Sequence, residues 1–153
     1  TILRPFNTYG PFQKSTGEGG VISIFLRQLL EGVPLTIYGS GRQTRDFLYV
    51  QDCAEFISRA GFSKKTNGHI LNAGTGVDVS VNHLAKMICT DDKQIVHKVH
   101  IHPQSEIMKL VCDQTKSKKM LGWCPQTRLD KGLAETKFWL REQLQKRMIF
   151  QKI

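Results

Sequence analysis

The sequence predicts an α/β fold, and three features carry that prediction. Strand-like and helix-like segments alternate along the whole chain. Pro34 admits a short apolar run, Leu35–Tyr38, which the Gly39-Ser40-Gly41 turn closes. Ahead of it, Ile22, Phe25, Leu26 and Leu29 recur on one helical face.

The elements follow in order. Thr1–Arg4 is a short β-like run. Pro5 to Gly20 reads as loop, broken by Pro11 and by Gly17-Glu18-Gly19-Gly20. Val21–Glu31 reads as a helix closed by Gly32, and Leu35–Tyr38 and Phe47–Val50 as strands. Asp52, with Glu55 three residues on, suits a helix N-cap, and that helix runs through Phe56, Ile57 and Ala60 to Gly61. Ser63–Gly68 is a polar loop, and His69–Ala73 is a strand ended by Gly74-Thr75-Gly76. Ser80 caps a helix with Val81, Leu84, Ala85 and Ile88 inward. Ile95–Ile101 alternates Ile95, His97, Val99 and Ile101 against Val96, Lys98 and His100, as a strand does. Thr115–Leu121 is a short helix ending at Gly122. Asp130 caps the last helix, where Leu133, Leu140 and Leu144 recur at i, i+7 and i+11.

At 153 residues, 40% of them hydrophobic, the chain has the length and apolar content of one folded domain. No apolar run approaches the roughly 20 residues of a membrane span, so no membrane partner is expected. Thr1-Ile2-Leu3-Arg4-Pro5 reads as a strand entering a turn, not a secretory signal. The missing initiator Met points to a fragment or a processed start. Cys53, Cys89, Cys112 and Cys124 lie far apart without a C-x-x-C pair, which suits free thiols in a cytoplasmic protein. The net charge of +9 belongs either to solvated helix faces or to a field that attracts phosphate. No RNA-binding aromatic signature accompanies Lys116-Ser117-Lys118-Lys119, so nucleic acid is not an expected partner.

Several side chains invite chemistry. Gly39-x-Gly41-x-x-Thr44 follows a strand and imitates half of a dinucleotide-binding turn, but Arg45-Asp46-Phe47 continues as strand, so a tight turn is the ordinary reading. Asn7 offers a two-donor amide for an anion, or forms a turn beside Tyr9-Gly10. Arg45 presents a fork that matches phosphate, or joins Arg42 and Asp46 in a surface charge pattern. Tyr38 stacks on a ligand or faces the core. His97, His100 and His102 make a thin metal set, since only His100 and His102 share a strand face.

Three blocks, in this order and spacing, resemble the C-terminal part of the extended short-chain dehydrogenase/reductase family. They are Leu3-Arg4-Pro5-Phe6-Asn7-Thr8-Tyr9-Gly10-Pro11, Leu35 through Asp52 and Ile70-Leu71-Asn72-Ala73-Gly74. Asp113-Gln114-Thr115-Lys116 and Leu121-Gly122-Trp123 match later landmarks of the same family. The resemblance implies the substrate-binding part of such an enzyme with remnant Rossmann edge strands, Thr1–Arg4 and His69–Ala73. It implies a region 1–153 without the N-terminal NAD-binding portion. The parent would be an NAD-dependent epimerase of nucleotide sugars, most like a UDP-glucose 4-epimerase. A 4,6-dehydratase or a non-catalytic module on the same scaffold are the alternatives.

NAD would serve the parent and not be bound by this chain alone. The family's Tyr followed four residues later by Lys is absent, because Tyr9, Tyr38 and Tyr49 are followed there by Gln13, Arg42 and Cys53. No catalytic residue is therefore expected here. The resemblance implies a nucleotide-sugar site made of Asn7, Val21, Thr36, Ile37, Tyr38, Arg45, His102 and Glu106. Within it, Arg45 and Asn7 meet the diphosphate, Ile37 and Tyr38 the base, and Glu106 a ribose hydroxyl. His102 stands where the family has Arg, so either it acts when protonated or another base such as Lys109 covers the phosphate. A strand at the chain start without a preceding neighbour predicts a homo-oligomer formed through an open sheet edge.

Overall fold

The computed structural model describes residues 1–16, 19–100, 104 and 106–150. β1 (Ile2–Pro5) and β2 (Asn7–Tyr9) precede α1 (Val21–Leu30), β3 (Leu35–Tyr38), β4 (Thr44–Tyr49) and α2 (Val50–Phe62). Then come β5 (Ile70–Ala73), β6 (Asp78–Ser80), α3 (Val81–Ile88), β7 (Ile95–Lys98), β8 (Lys109–Leu110), α4 (Thr115–Leu121) and α5 (Leu129–Phe150). This is the α/β architecture the alternation predicts. No helix among the described residues is long and apolar enough to cross a membrane.

The strands form three small groups. β1 pairs in parallel with β5, and β3 in parallel with β7. β4 is the hub. Its C-terminal half pairs with β2 in parallel, and its N-terminal half is flanked by antiparallel β6 and parallel β8. β2, β6 and β8 fall where the sequence reads as loop or gives no strand signal. At three, three and two residues they are too short to show alternation, and β4 creates them by offering its backbone groups.

Two hydrophobic clusters fill the interior. The larger gathers Ile22, Phe25 and Leu26 of α1 with Leu84 and Ala85 of α3 and Leu133 and Leu140 of α5. The smaller gathers Cys53, Phe56, Leu71, Ala73 and Trp123, with the Phe56 and Trp123 rings 4.9 Å apart. β4 serves both: Phe47 and Tyr49 belong to the first cluster and Leu48 to the second, as strand alternation requires.

Three sequence expectations change. Asp52 is not a cap. α2 begins at Val50 with Tyr49 as its N-cap residue, and the buried Asp52 carboxylate accepts from the backbone N–H groups of Gln126 and Thr127, both at 3.0 Å. Asp130 likewise lies inside the first turn of α5, paired with Arg128 at 3.2 Å. β1 is not without a neighbour. The N–H of Ile2 donates to His69 O, and that of Phe6 to Ala73 O, so Leu3 and Pro5 face the open edge, and Pro5 has no donor. By contrast Ser80 caps α3 as expected, accepting from His83 N at 3.1 Å, and Gly122, at φ 59°, closes α4.

All four cysteines are free; Cys53, Cys89 and Cys112 are buried and Cys124 is partly exposed. Burial, then Asp46 and Asp113 nearby, pushes the Cys112 thiol up to about 12. An unfolded thiol ionises near pH ~8.5. The contribution of Cys112 to stability is therefore complete below that pH and fades as pH rises toward 12. We expect iodoacetamide at pH 8 to label native Cys124 first and Cys112 only after denaturation. Equal labelling rates at the two sites would contradict the buried, protonated thiol.

Candidate substrate site

Alternation along β4 turns Arg45 outward and Asp46 inward. The Arg45 fork is engaged on three sides. Nη2 meets Glu106 Oε1 at 2.8 Å, and Nη1 donates to Ile107 O at 2.6 Å and Thr44 O at 2.8 Å. The other Glu106 oxygen, Oε2, lies 2.7 Å from His100 Nε2. Arg45, Glu106 and His100 thus form one chain of partly buried charges. His100 adds a positive charge to it when protonated. The surface pattern with Asp46 is not what holds Arg45, because Asp46 faces the interior, fully buried.

Beside Arg45 opens a cavity of about 270 Å³, lined by Asn7, Gln13, Gly20, Val21, Arg45 and Phe47 among others. Asn7 lies in β2 rather than in a turn, and its Nδ2 donates to Asp46 O at 3.2 Å. That bond orients the amide and leaves its second hydrogen for a ligand. Val21 is the first residue of α1, whose N-cap, Gly20, carries no side-chain cap. The opening backbone N–H groups of a helix have no intrahelical partner and favour an anion. A permanent cation, an oriented amide and a helix start therefore converge on one cavity, and that combination suits a phosphate group.

Three predicted site residues share this cavity: Asn7, Val21 and Arg45. Glu106 joins them through Arg45. Thr36, Ile37 and Tyr38 do not line it. They occupy β3, where Ile37 is buried in the core, Thr36 N donates to Gln28 Oε1, and Tyr38 is half exposed. A core-facing Tyr38 is thereby excluded. The turn after Tyr38 brings β3 close to the same region, since a Cβ placed on Gly39 would lie 3.6 Å from His100 Cβ. His102 lies outside the described residues. Lys109 is mostly exposed, 3.9 Å from Asp78.

His100 and Gln13 are the residues that sequence reasoning missed as site members. His100 was visible as half of the His-x-His pair, but only its contact with Glu106 gives it a role. Gln13 carries no motif. His97 Nδ1 lies 2.9 Å from Gly39 O, and among the described residues no three His, Cys, Asp or Glu side chains gather as a metal site.

A larger cavity, about 510 Å³, lies across Phe47 between Val77, Met87, Gln114 and the segment 124–130. It is the roomier of the two but contains none of the predicted residues, and its charged lining pair, Arg128 and Asp130, is exposed to solvent. The smaller one has the chemistry that suits an anion.

A dinucleotide needs a glycine turn between a strand and a helix start. Among the described residues Gly19-Gly20 stands at the start of α1, while two other glycine turns lead into strands. Gly39 and Gly41, at φ 76° and 68°, lead into β4, and Gly74-Thr75-Gly76 leads into β6.

A sequence model of the NAD dependent epimerase/dehydratase family matches residues 1–74. Over 149 residues the chain is 39% identical to the UDP-N-acetyl-alpha-D-glucosaminuronate decarboxylase of Bacillus cytotoxicus, covering 93% of this chain and 46% of that protein. Pal from Bacillus thuringiensis, a solved structure, superposes with a TM-score of 0.90 at 55% identity, covering 94% of this chain and 46% of that one. The UDP-glucose 4-epimerase of Thermotoga maritima, solved with UDP-glucose, superposes at 0.86 and 35% identity, with 94% and 46% covered. The chain spans a little under half the length of three of the curated relatives it matches and 29% of two others.

Proposed function

We infer, for a chain that belongs to the NAD dependent epimerase/dehydratase family, that it is the substrate-holding region of an enzyme acting on nucleoside-diphosphate sugars. The observation that carries this is the convergence of Arg45, Asn7 and the start of α1 on one cavity. Arg45 clamps the diphosphate bidentately, the Asn7 amide and the first N–H groups of α1 complete the anion shell, and Glu106, released from Arg45, accepts from the ribose. The backbone of Thr36 and Ile37 and the ring of Tyr38 receive the base. His102, when protonated, supplies further charge for the phosphate.

The finer reading is a UDP-glucose 4-epimerase-like enzyme. Hydride chemistry at the sugar C4 then belongs to an NAD-binding portion outside residues 1–153, and no residue of this region takes part in it. A second reading, decarboxylation of a UDP-hexuronic acid, is favoured by the 39% identity to the Bacillus cytotoxicus protein. Residence in the cytoplasm and self-association through the β1 edge belong to the same proposal; a strict monomer by light scattering would remove the latter.

The test is turnover. The full-length protein with NAD is given UDP-glucose and, separately, UDP-glucuronic acid, and the nucleotide sugars are separated by chromatography. UDP-galactose is expected from the first. Carbon dioxide with a UDP-pentose from the second would replace epimerisation by decarboxylation, and a 4-keto-6-deoxy product from UDP-glucose would indicate dehydration. Binding of UDP without any conversion would leave a non-catalytic module. Region 1–153 alone should show no turnover, and turnover above a heat-killed control would overturn the division of labour.

A further inference from the structure

We propose that His100 is a positioning residue of the substrate site: once protonated, it holds Glu106 and so frees Arg45 for the diphosphate. The assignment rests on the nucleotide-sugar reading above. The need for such a residue lies in what Arg45 touches. Its Nη1 donates to two neutral carbonyls, Ile107 O at 2.6 Å and Thr44 O at 2.8 Å. Its Nη2 meets a charge, Glu106 Oε1, at 2.8 Å. The carbonyls steady the fork and leave its charge available. The carboxylate neutralises that charge and competes with a phosphate for the same nitrogen.

His100 stands on the other oxygen of that carboxylate. Its Nε2 lies 2.7 Å from Glu106 Oε2, and the Glu106 side chain is only 15% exposed. Glu106 is therefore shared between a permanent cation and a titratable one. Arginine keeps its proton, whereas histidine changes charge between about pH 5 and 8. With a neutral imidazole the three side chains sum to zero, and moving Arg45 onto a phosphate takes a cation away from a largely buried carboxylate. That step is unfavourable. With an imidazolium the group carries one net positive charge, and Glu106 keeps a cationic partner when Arg45 leaves.

The neighbouring charges are placed differently. On β7, Lys98 is exposed and His97 Nδ1 lies 2.9 Å from Gly39 O. Lys109 of β8 is 3.9 Å from Asp78 of β6. Arg42, in the turn before β4, is exposed, and Asp46 is buried on the inner face of β4. His100 itself sits against the turn after Tyr38, where a Cβ on Gly39 would lie 3.6 Å from its own. It acts on the phosphate through Glu106 and Arg45. Affinity is then highest while His100 is protonated and falls as pH rises and the proton is lost. By reciprocity, binding takes up a proton.

The experiment is isothermal titration of the full-length protein with UDP-glucose, which has no group of its own that titrates between about pH 5.5 and 8. Buffers of different ionisation enthalpy read the proton uptake directly. Wild type should bind about three- to fivefold more tightly at pH 5.5 than at pH 8, the effect of one partly exposed charge. His100→Gln should lose most of this dependence and of the proton uptake, and bind at both pH values much as wild type does at pH 8. His100→Lys, a fixed cation, should also lose them but bind at both as wild type does at pH 5.5; it decides if His100→Gln fails to fold. Glu106→Gln should lose the dependence too, because the relay runs through that carboxylate. A dependence that persists in Glu106→Gln, or that His102→Gln abolishes and His100→Gln keeps, overturns the proposal. So does equal weakening of His100→Gln at both pH values, which assigns the ring to packing. Wild-type binding that ignores pH removes the role of His100 alone. A wild type that binds no UDP-glucose at either pH overturns the nucleotide-sugar reading itself, and the role of His100 with it.

Discussion

Replacing Asp46 by Ala is expected to lower stability by about 4 kcal/mol or more, from the loss of several hydrogen bonds to one charged acceptor. Oδ1 accepts from Thr75 N at 2.8 Å and Thr75 Oγ1 at 2.7 Å, and Oδ2 from Gly76 N at 2.9 Å and Cys112 N at 3.1 Å. A single carboxylate thus ties β4 to the loop after β5 and to the segment between β8 and α4. Alanine leaves those donors without an acceptor and nothing nearby to replace it. For a chain of this size the midpoint of thermal unfolding should fall by about 10 °C. Asp46→Asn keeps the shape but turns an NH₂ toward at least one N–H, and should lie between the two. Urea unfolding of the three proteins measures this, and an alanine cost below ~1 kcal/mol would show that the carboxylate is not the tie.

The second large effect is on binding. Arg45→Lys keeps the charge and loses the paired geometry, and should raise the Kd for UDP-glucose about tenfold or more, since ~1.4 kcal/mol is one decade. Arg45→Ala should cost more. Some stability should be lost as well, since the side chain, 20% exposed, gives up bonds to Glu106, Ile107 and Thr44, but the loss in binding should exceed it. Titration and thermal melting on the same samples separate the outcomes. Weaker binding accompanied by an equal loss of stability would assign Arg45 to scaffolding. Unchanged binding would remove it from the site, and Asn7 and Glu106 would lose their main support.

The elements legible in the sequence are those whose causes are local. Pro34 and Gly39 bracket β3, Gly122 ends α4, and the hydroxyl of Ser80 caps α3; each works through its own neighbours. β2, β6 and β8 were not legible because their cause is a partner strand far away in sequence. Asp52 and Asp130 show why local signals mislead. An aspartate near a helix start satisfies whichever N–H lies closest, and for Asp52 these belong to Gln126 and Thr127. The site divides the same way. Alternation around Arg45 and Asp46 was readable, and the family resemblance supplied Asn7 and Glu106 separately. Their meeting was not readable: Glu106 reaches Arg45 across a separation of 61 residues, and His100 gains a role only through it. Gln13 carries no motif, and its place in the cavity lining shows only once the chain is folded.

The double allegiance of β4 has a thermodynamic consequence. With Leu48 in one cluster and Phe47 and Tyr49 in the other, neither cluster can loosen without exposing the same strand. We therefore expect the two to open together, with the amide hydrogens of residues 47–49 among the slowest to exchange. Arg45 rides on that strand two residues away. On the proposed reading of Arg45 as a phosphate clamp, a side chain mounted on such a strand has little disorder to lose when ligand arrives, so more of its electrostatic attraction is retained as affinity.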